Sequence, residues 1–223
     1  MEFVWASVLL VMLPVSSRGL GRRLEIARPA RMDFYLSAAV SHLLLFAPML
    51  AVDFLSGRTG LAFLLHGLAP GRLAFWTLAT LGACAAVWLV MLLETKRHPE
   101  RGDEIALAML PRTPRERMAF SGVSLSAGFV EEYLLRGFCL GAVLAATGSM
   151  IAAVAITTIS FGLAHLYQGW RGTAGAMLLG GILAVPVAMT GSLLPSIIAH
   201  AATDFLSSFC ALPILRAWRV PVE

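Results

Sequence analysis

The sequence predicts an all-α fold, a polytopic transmembrane bundle of about seven spans. Three observations carry that expectation. Hydrophobic residues make up 58% of the 223 residues and charged residues only 13%, with a mean hydropathy of +0.80. Soluble domains carry about 45–50% apolar and about 25% charged residues, so a soluble domain would lack polar surface here. The apolar residues also gather into stretches close to the roughly 20 residues that a membrane helix needs. The basic residues fall between those stretches and on alternate sides of them.

The expected spans cover approximately residues 2–17, 34–55, 73–93, 119–145, 148–167, 173–190 and 193–213. The first is short and contains Pro14, and no Lys or Arg precedes it. It therefore reads as an anchor with its N-terminus outside, and not as a cleaved signal. Arg18, Arg22, Arg23, Arg28 and Arg31 fill the first loop, and Lys96, Arg97, Arg101, Arg112, Arg115 and Arg117 the third. With Arg171, Arg216 and Arg219 they all face the cytoplasm in a seven-span topology, whereas Arg58 and Arg72 face outward. That asymmetry puts the C-terminus inside. Residues 61–69 (LAFLLHGLA) are too short to span and read as re-entrant or interfacial. Residues 103–110 (DEIALAML) read as a short amphipathic interfacial helix. Cys84, Cys139 and Cys210 fit no metal or disulfide spacing and read as small buried hydrophobes. The basic loops serve topology and lipid headgroups, and no motif supports a nucleic-acid partner.

Ionisable groups inside a membrane cost roughly 2.5–3.5 kcal/mol each on insertion scales, so they mark function by default. Here they are Glu131, Glu132, Arg136, His165, His200 and Asp204, with His42 and Asp53 in the second span. Glu132 and Arg136 stand four residues apart on one helix face and can pair. Glu131 lies about 100° round the helix and is free to point elsewhere. His200 and Asp204 share a face in the same way, as do Phe161 and His165. Gly128, Gly137, Gly162, Ala164, Ala201 and Ala202 allow close helix approach, so the three spans can converge on one polar pocket.

Such a pocket suits amide hydrolysis by either of two routes. A carboxylate beside a histidine can activate water while a second histidine and an Asp stabilise an oxyanion. The same Glu, His and Asp groups can instead ligate a divalent metal such as zinc. A proton relay in a transporter and a non-catalytic scaffold are the competing readings; against the first, the sequence shows no inverted repeat of broken helices.

The strings EEYLLR at 131–136, FGLAH at 161–165 and HAATD at 200–204 follow one another on successive apolar helices. In that order they resemble the CPBP family of intramembrane proteases, which includes the type II CAAX prenyl endopeptidases and the Abi proteins. The resemblance covers roughly residues 118–207. It implies a protease core there, preceded by membrane helices and basic loops over 1–117 and followed by the end of the last span and a tail over 208–223. It implies Glu131 as catalytic glutamate, His165 as its partner on water, and His200 with Asp204 at the oxyanion. Glu132 and Arg136 resemble a supporting pair. Many members have Asn where this chain has Asp204. A metal, if one is used, would be drawn from Glu131, His165, His200 and Asp204. The implied partners are membrane lipid and a membrane-associated protein or peptide substrate, either prenylated or carrying a C-terminal sorting tail. The implied setting is a bacterial inner membrane.

The remaining polar residues have plainer readings. His42 and His66 carry no motif and read as packing or interfacial groups. Asp53 and Glu94 sit near span ends and are expected to snorkel, and His98 is expected in solvent. Tyr167, Gln168 and Trp170 read as an interfacial belt. The depths of the candidate residues do not match. At about 1.5 Å per residue, Glu131 lies roughly 20 Å along its helix from Arg117, but His165 only about 9 Å from Arg171. Convergence therefore needs tilt, a broken helix or a recessed loop.

Overall fold

The computed structural model describes residues 1–27, 30–57, 59–99 and 104–220. Arg28, Arg58, Arg101 and Asp103, used above to read topology and the interfacial segment, lie outside the described residues. All regular structure among the described residues is helical. The elements are α1 (Glu2–Ala27), α2 (Arg31–Ser56), α3 (Thr59–Leu65), α4 (Pro70–Arg97), α5 (Glu104–Met109), α6 (Pro114–Glu132), α7 (Leu140–Thr147), α8 (Met150–Leu163), α9 (Gly169–Thr190) and α10 (Leu194–Ala217). A π-helical turn (Tyr133–Cys139) joins α6 to α7, and a 3₁₀ turn (Leu166–Gln168) precedes α9.

Five segments among the described residues are long and apolar enough to cross a membrane: Glu2–Gly21, α2, α4, Leu166–Thr190 and α10. The chain is an integral membrane protein. The expected count of about seven is not confirmed, for two reasons. The fourth expected span is a helical run interrupted by the π-turn, and it carries three charged side chains. The fifth, α8, has only 14 residues, short of the roughly 20 that span a bilayer.

Turn chemistry sets these limits. Gly148 adopts φ +67° after α7, a left-handed conformation that glycine tolerates best. Ser149 then caps α8 by accepting from the Ala152 N–H at 3.2 Å. α8 packs back on α7 and α9. Gly191, at φ +73°, closes α9 in the same way, and Pro195 enters α10 in its first turn, where its missing N–H costs nothing. Between α6 and α10 the backbones nearly touch. A Cβ on Gly128 would lie 2.8 Å from the backbone nitrogen of Ala201. The buried residues of the π-turn, among them Tyr133, Leu135 and Phe138, sit at the centre of the largest apolar cluster.

Asp53 does not snorkel, in contrast to the sequence expectation. It is fully buried. Its carboxylate accepts from the Gly60 N–H at 3.0 Å, the Leu61 N–H at 2.8 Å and the Tyr133 hydroxyl at 2.6 Å. α3 folds back over the end of α2 and covers Asp53, which in turn ties the first turn of α3 to the π-turn. Gly60 permits this approach, since a Cβ there would stand 3.0 Å from the Phe138 nitrogen. Glu94 behaves as expected. It is 44% exposed, between Arg97 at 3.6 Å and Arg171 at 3.9 Å.

At the other end of the bundle the short α5 is docked through its carbonyls. Arg31 Nε donates to Ala108 O at 2.7 Å and the Tyr35 hydroxyl to Met109 O at 2.6 Å. α6 starts beside it with a capping box. Thr113 Oγ1 accepts from the Glu116 N–H at 3.2 Å, and Glu116 Oε2 accepts from the Thr113 and Arg112 N–H groups at 3.0 and 2.7 Å. Arg31 Nη1 is 3.8 Å from Glu116 Oε1. Burial alone would raise the Glu116 pKa, but the Arg112 and Thr113 N–H donors and the Arg31 charge outweigh it and hold the carboxyl below the usual glutamate range. Because the folded pKa is depressed, this stabilisation is present above the unfolded pKa and drains away as pH falls through the folded one. Thr113→Ala is expected to cost about 1 kcal/mol in thermal unfolding in detergent. Glu116→Gln should lower the melting temperature at neutral pH, and the gap should narrow as pH falls below the usual glutamate range; a gap independent of pH would show that the cap does not use the carboxylate.

Candidate active site

The two adjacent glutamates meet different fates. Glu132, the last residue of α6, is fully buried. Its Oε1 accepts from Arg136 Nη1 at 3.0 Å and from His200 Nδ1 at 2.8 Å. Arg136 lies in the π-turn and is likewise fully buried. Its Nη2 donates to Gly180 O on α9 at 2.9 Å, and its guanidinium covers the Phe161 ring at 4.3 Å. Gly180 makes that possible, because a Cβ there would stand 2.9 Å from Arg136 Nη2 and 2.8 Å from Phe161 Cδ1. The expected i, i+4 pair is therefore present, and it extends to a third member on another helix.

Glu131 is turned about 100° round the helix from Glu132, and its side chain is 26% exposed. Its carboxylate lies 3.3 Å from His42 Nε2 on α2 and interacts electrostatically with His200 and His165. His165 stands in the turn after α8. Its Nδ1 is 2.8 Å from Phe161 O. A carbonyl can only accept, so Nδ1 carries the hydrogen, and in the neutral ring Nε2 is then the acceptor. The ring is held between Phe161, at 4.7 Å between centroids, and Tyr167, at 6.0 Å. The Tyr167 N–H in turn donates to Ser17 Oγ on α1 at 3.1 Å. The loop is braced against α1 through this bond. Tyr167 thus packs against the site histidine, where the sequence reading places it only at the interface.

His200 and Asp204 stand in α10. The sequence pairs them by spacing, but the close partner of His200 is Glu132. Asp204 Oδ2 is 3.9 Å from His200 Nε2 and its side chain is 33% exposed. The Phe161 ring also meets His200, edge-on at 6.0 Å. Arg136, His165 and His200 therefore all touch one aromatic ring.

The structure brings together Glu131, His165 and His200, with Asp204 at the edge of the group and Glu132 and Arg136 beneath it. Among the described residues no group of three or more His, Cys, Asp or Glu side chains is gathered as metal ligands. His42, a packing group by sequence, instead meets the Glu131 carboxylate. Its only signal in the sequence is its place among the few ionisable residues inside a span.

Breaking the buried triad has a clear expected effect. Arg136→Met leaves Glu132 buried and short of a counter-charge, at a cost of about 3–5 kcal/mol. A thermal melt in detergent should show it, with Arg136→Lys intermediate. An unshifted melt would mean that Arg136 does not neutralise Glu132.

Residues 114–206 match the family described as Type II CAAX prenyl endopeptidase Rce1-like. No curated protein and no solved structure matches the chain. The matched segment contains Glu131, Glu132, Arg136, His165, His200 and Asp204. Over the segment that builds this cluster, the chain is thus similar to the Rce1-like type II CAAX prenyl endopeptidases.

Proposed function

We propose that the protein is an intramembrane endopeptidase that hydrolyses a peptide bond near the membrane surface, with Glu131 and His165 activating water. The observation that carries this reading is the state of His165. Its Nδ1–H is committed to Phe161 O, so its Nε2 is an acceptor, and it lies within electrostatic reach of Glu131. A carboxylate and an imidazole acceptor can share the proton that water gives up as its oxygen attacks the scissile carbonyl. The negative charge then develops on the carbonyl oxygen. His200 supports it as the doubly protonated ring: Glu132 accepts from Nδ1–H and offsets the charge, and Nε2–H donates to the oxyanion. Asp204 orients that ring or, when protonated, donates beside it. Collapse of the tetrahedral intermediate breaks the C–N bond, and the proton passes from the Glu131–His165 pair to the leaving amine. Substrates are membrane-associated proteins or peptides, either prenylated at a CAAX end or bearing a C-terminal sorting tail. The protein sits in a bacterial inner membrane with its N-terminus outside.

The test is cleavage of a panel of prenylated CAAX peptides and tail-bearing precursors in membranes. Glu131→Gln should lose about 10²–10⁴-fold in rate and keep its melting temperature. Wild-type cleavage that survives a chelator supports the direct water mechanism, whereas loss restored by zinc makes the reaction metal-dependent. Cleavage by Glu131→Gln at the wild-type rate would overturn the assignment.

A further inference from the structure

His42 lies on α2, outside the residues that match the protease family. Its ring is fixed at both nitrogens. Nδ1 is 2.9 Å from Ser126 Oγ on α6. Ser126 Oγ donates its own hydrogen to Val123 O at 2.9 Å. A hydroxyl has one hydrogen to give, so towards His42 it accepts, and Nδ1 carries the hydrogen. Nε2 then faces Glu131 Oε1 at 3.3 Å. At that distance the ring stands directly against the carboxylate and limits where it can turn. The surrounding packing locks this arrangement. Phe46, one turn further along α2, sits edge-on against Phe129 at 5.4 Å and Tyr133 at 5.1 Å, the residues that flank the two glutamates.

We propose that His42 is a positioning residue of the hydrolytic centre: Ser126 sets its ring, and its Nε2 holds the Glu131 carboxylate in place for attack on the peptide bond. This rests on the assignment of Glu131 above. It gives the membrane-anchoring half of the chain a part in the chemistry, since α2 supplies a group that α6, α8 and α10 lack. A carboxylate on a helix end would otherwise swing among staggered rotamers, and a displacement of about 1 Å can cost a hundredfold in rate.

The first measurement needs no substrate. The full chain, ¹⁵N-labelled at its histidine rings, is placed in lipid nanodiscs, and the His42 signals are identified by their loss in His42→Gln. Nδ1 is expected to be protonated and to shift in Ser126→Ala, and Nε2 to shift in Glu131→Gln. An Nε2 signal indifferent to Glu131→Gln overturns the proposal. The second measurement is kinetic. His42→Ala should lower kcat about tenfold to a hundredfold, with KM unchanged within about twofold. His42→Gln, whose amide N–H can reach the same carboxylate, should recover part of the loss, which a merely structural role would not predict. Wild-type kcat in His42→Ala beside an inactive Glu131→Gln overturns the role of His42 alone; wild-type cleavage by Glu131→Gln overturns the assignment of Glu131 and this proposal with it.

Discussion

Glu132 has no exposed surface, and a single oxygen of its carboxylate accepts from both Arg136 and His200. Removing charges from water costs several kcal/mol per ion, and only close, well-aligned partners return it. That requirement organises the rest of the molecule. Arg136 must be near enough to neutralise Glu132, and its second branch must find an acceptor, which α9 supplies as the Gly180 carbonyl. His200 must face the same oxygen, which draws α10 against α6. There Gly128 lets the backbones close until a Cβ would collide with Ala201. Phe161 fills the space beneath the guanidinium and carries α8 into the contact. Four helices and the π-turn are thus placed by one buried charge. Glu131 can remain partly exposed because its neighbour has absorbed the arginine.

Much of this is legible in the sequence, and the parts that are not share a cause. The Glu132–Arg136 pair is four residues apart on one helical run, and helical spacing brings it together; the Phe161–His165 contact has the same spacing, with His165 in the turn just past the end of α8. The bond from Glu132 to His200 crosses between helices, and no periodicity encodes it. Spacing favours Asp204 as the partner of His200, yet Asp204 stands at 3.9 Å while Glu132 stands at 2.8 Å. Asp53 misleads because position near a span end suggests snorkelling. The short α3 turns back over it, and a seven-residue helix leaves too little pattern to show where it will dock. The π-turn is hidden as well. YLLRGFC reads as ordinary apolar helix, and nothing in its composition announces an i→i+5 turn. Interruption at that turn and the shortness of α8 also explain why five membrane-length helices stand where about seven are expected.

Turns of the π type are frequent at functional sites, and this one follows directly on the two glutamates. All seven of its residues are buried. Its outer face is fastened to α3 through Asp53 and the Tyr133 hydroxyl, and Gly137 stands against Gly60, where a Cβ would meet the Gly60 backbone at 3.4 Å. Its inner face presents Arg136. The irregular stretch is therefore clamped on both sides, as a site on a widened helix must be if its charges are to hold fixed positions.

The three histidines around Glu131 are anchored on one plan with different chemistry. Each commits Nδ1: His42 to a serine hydroxyl, His165 to a backbone carbonyl, His200 to a buried carboxylate. Each therefore presents Nε2, and the nature of the anchor decides what that nitrogen can do. A carbonyl anchor suits a neutral ring, so His165 offers a lone pair. A carboxylate anchor offsets a second proton, so His200 can offer an N–H to developing negative charge. His42 stands with its Nε2 against Glu131 itself. Under the proposed reaction these are the three services that water attack requires: an acceptor for the proton, a donor for the oxyanion, and a fixed position for the base.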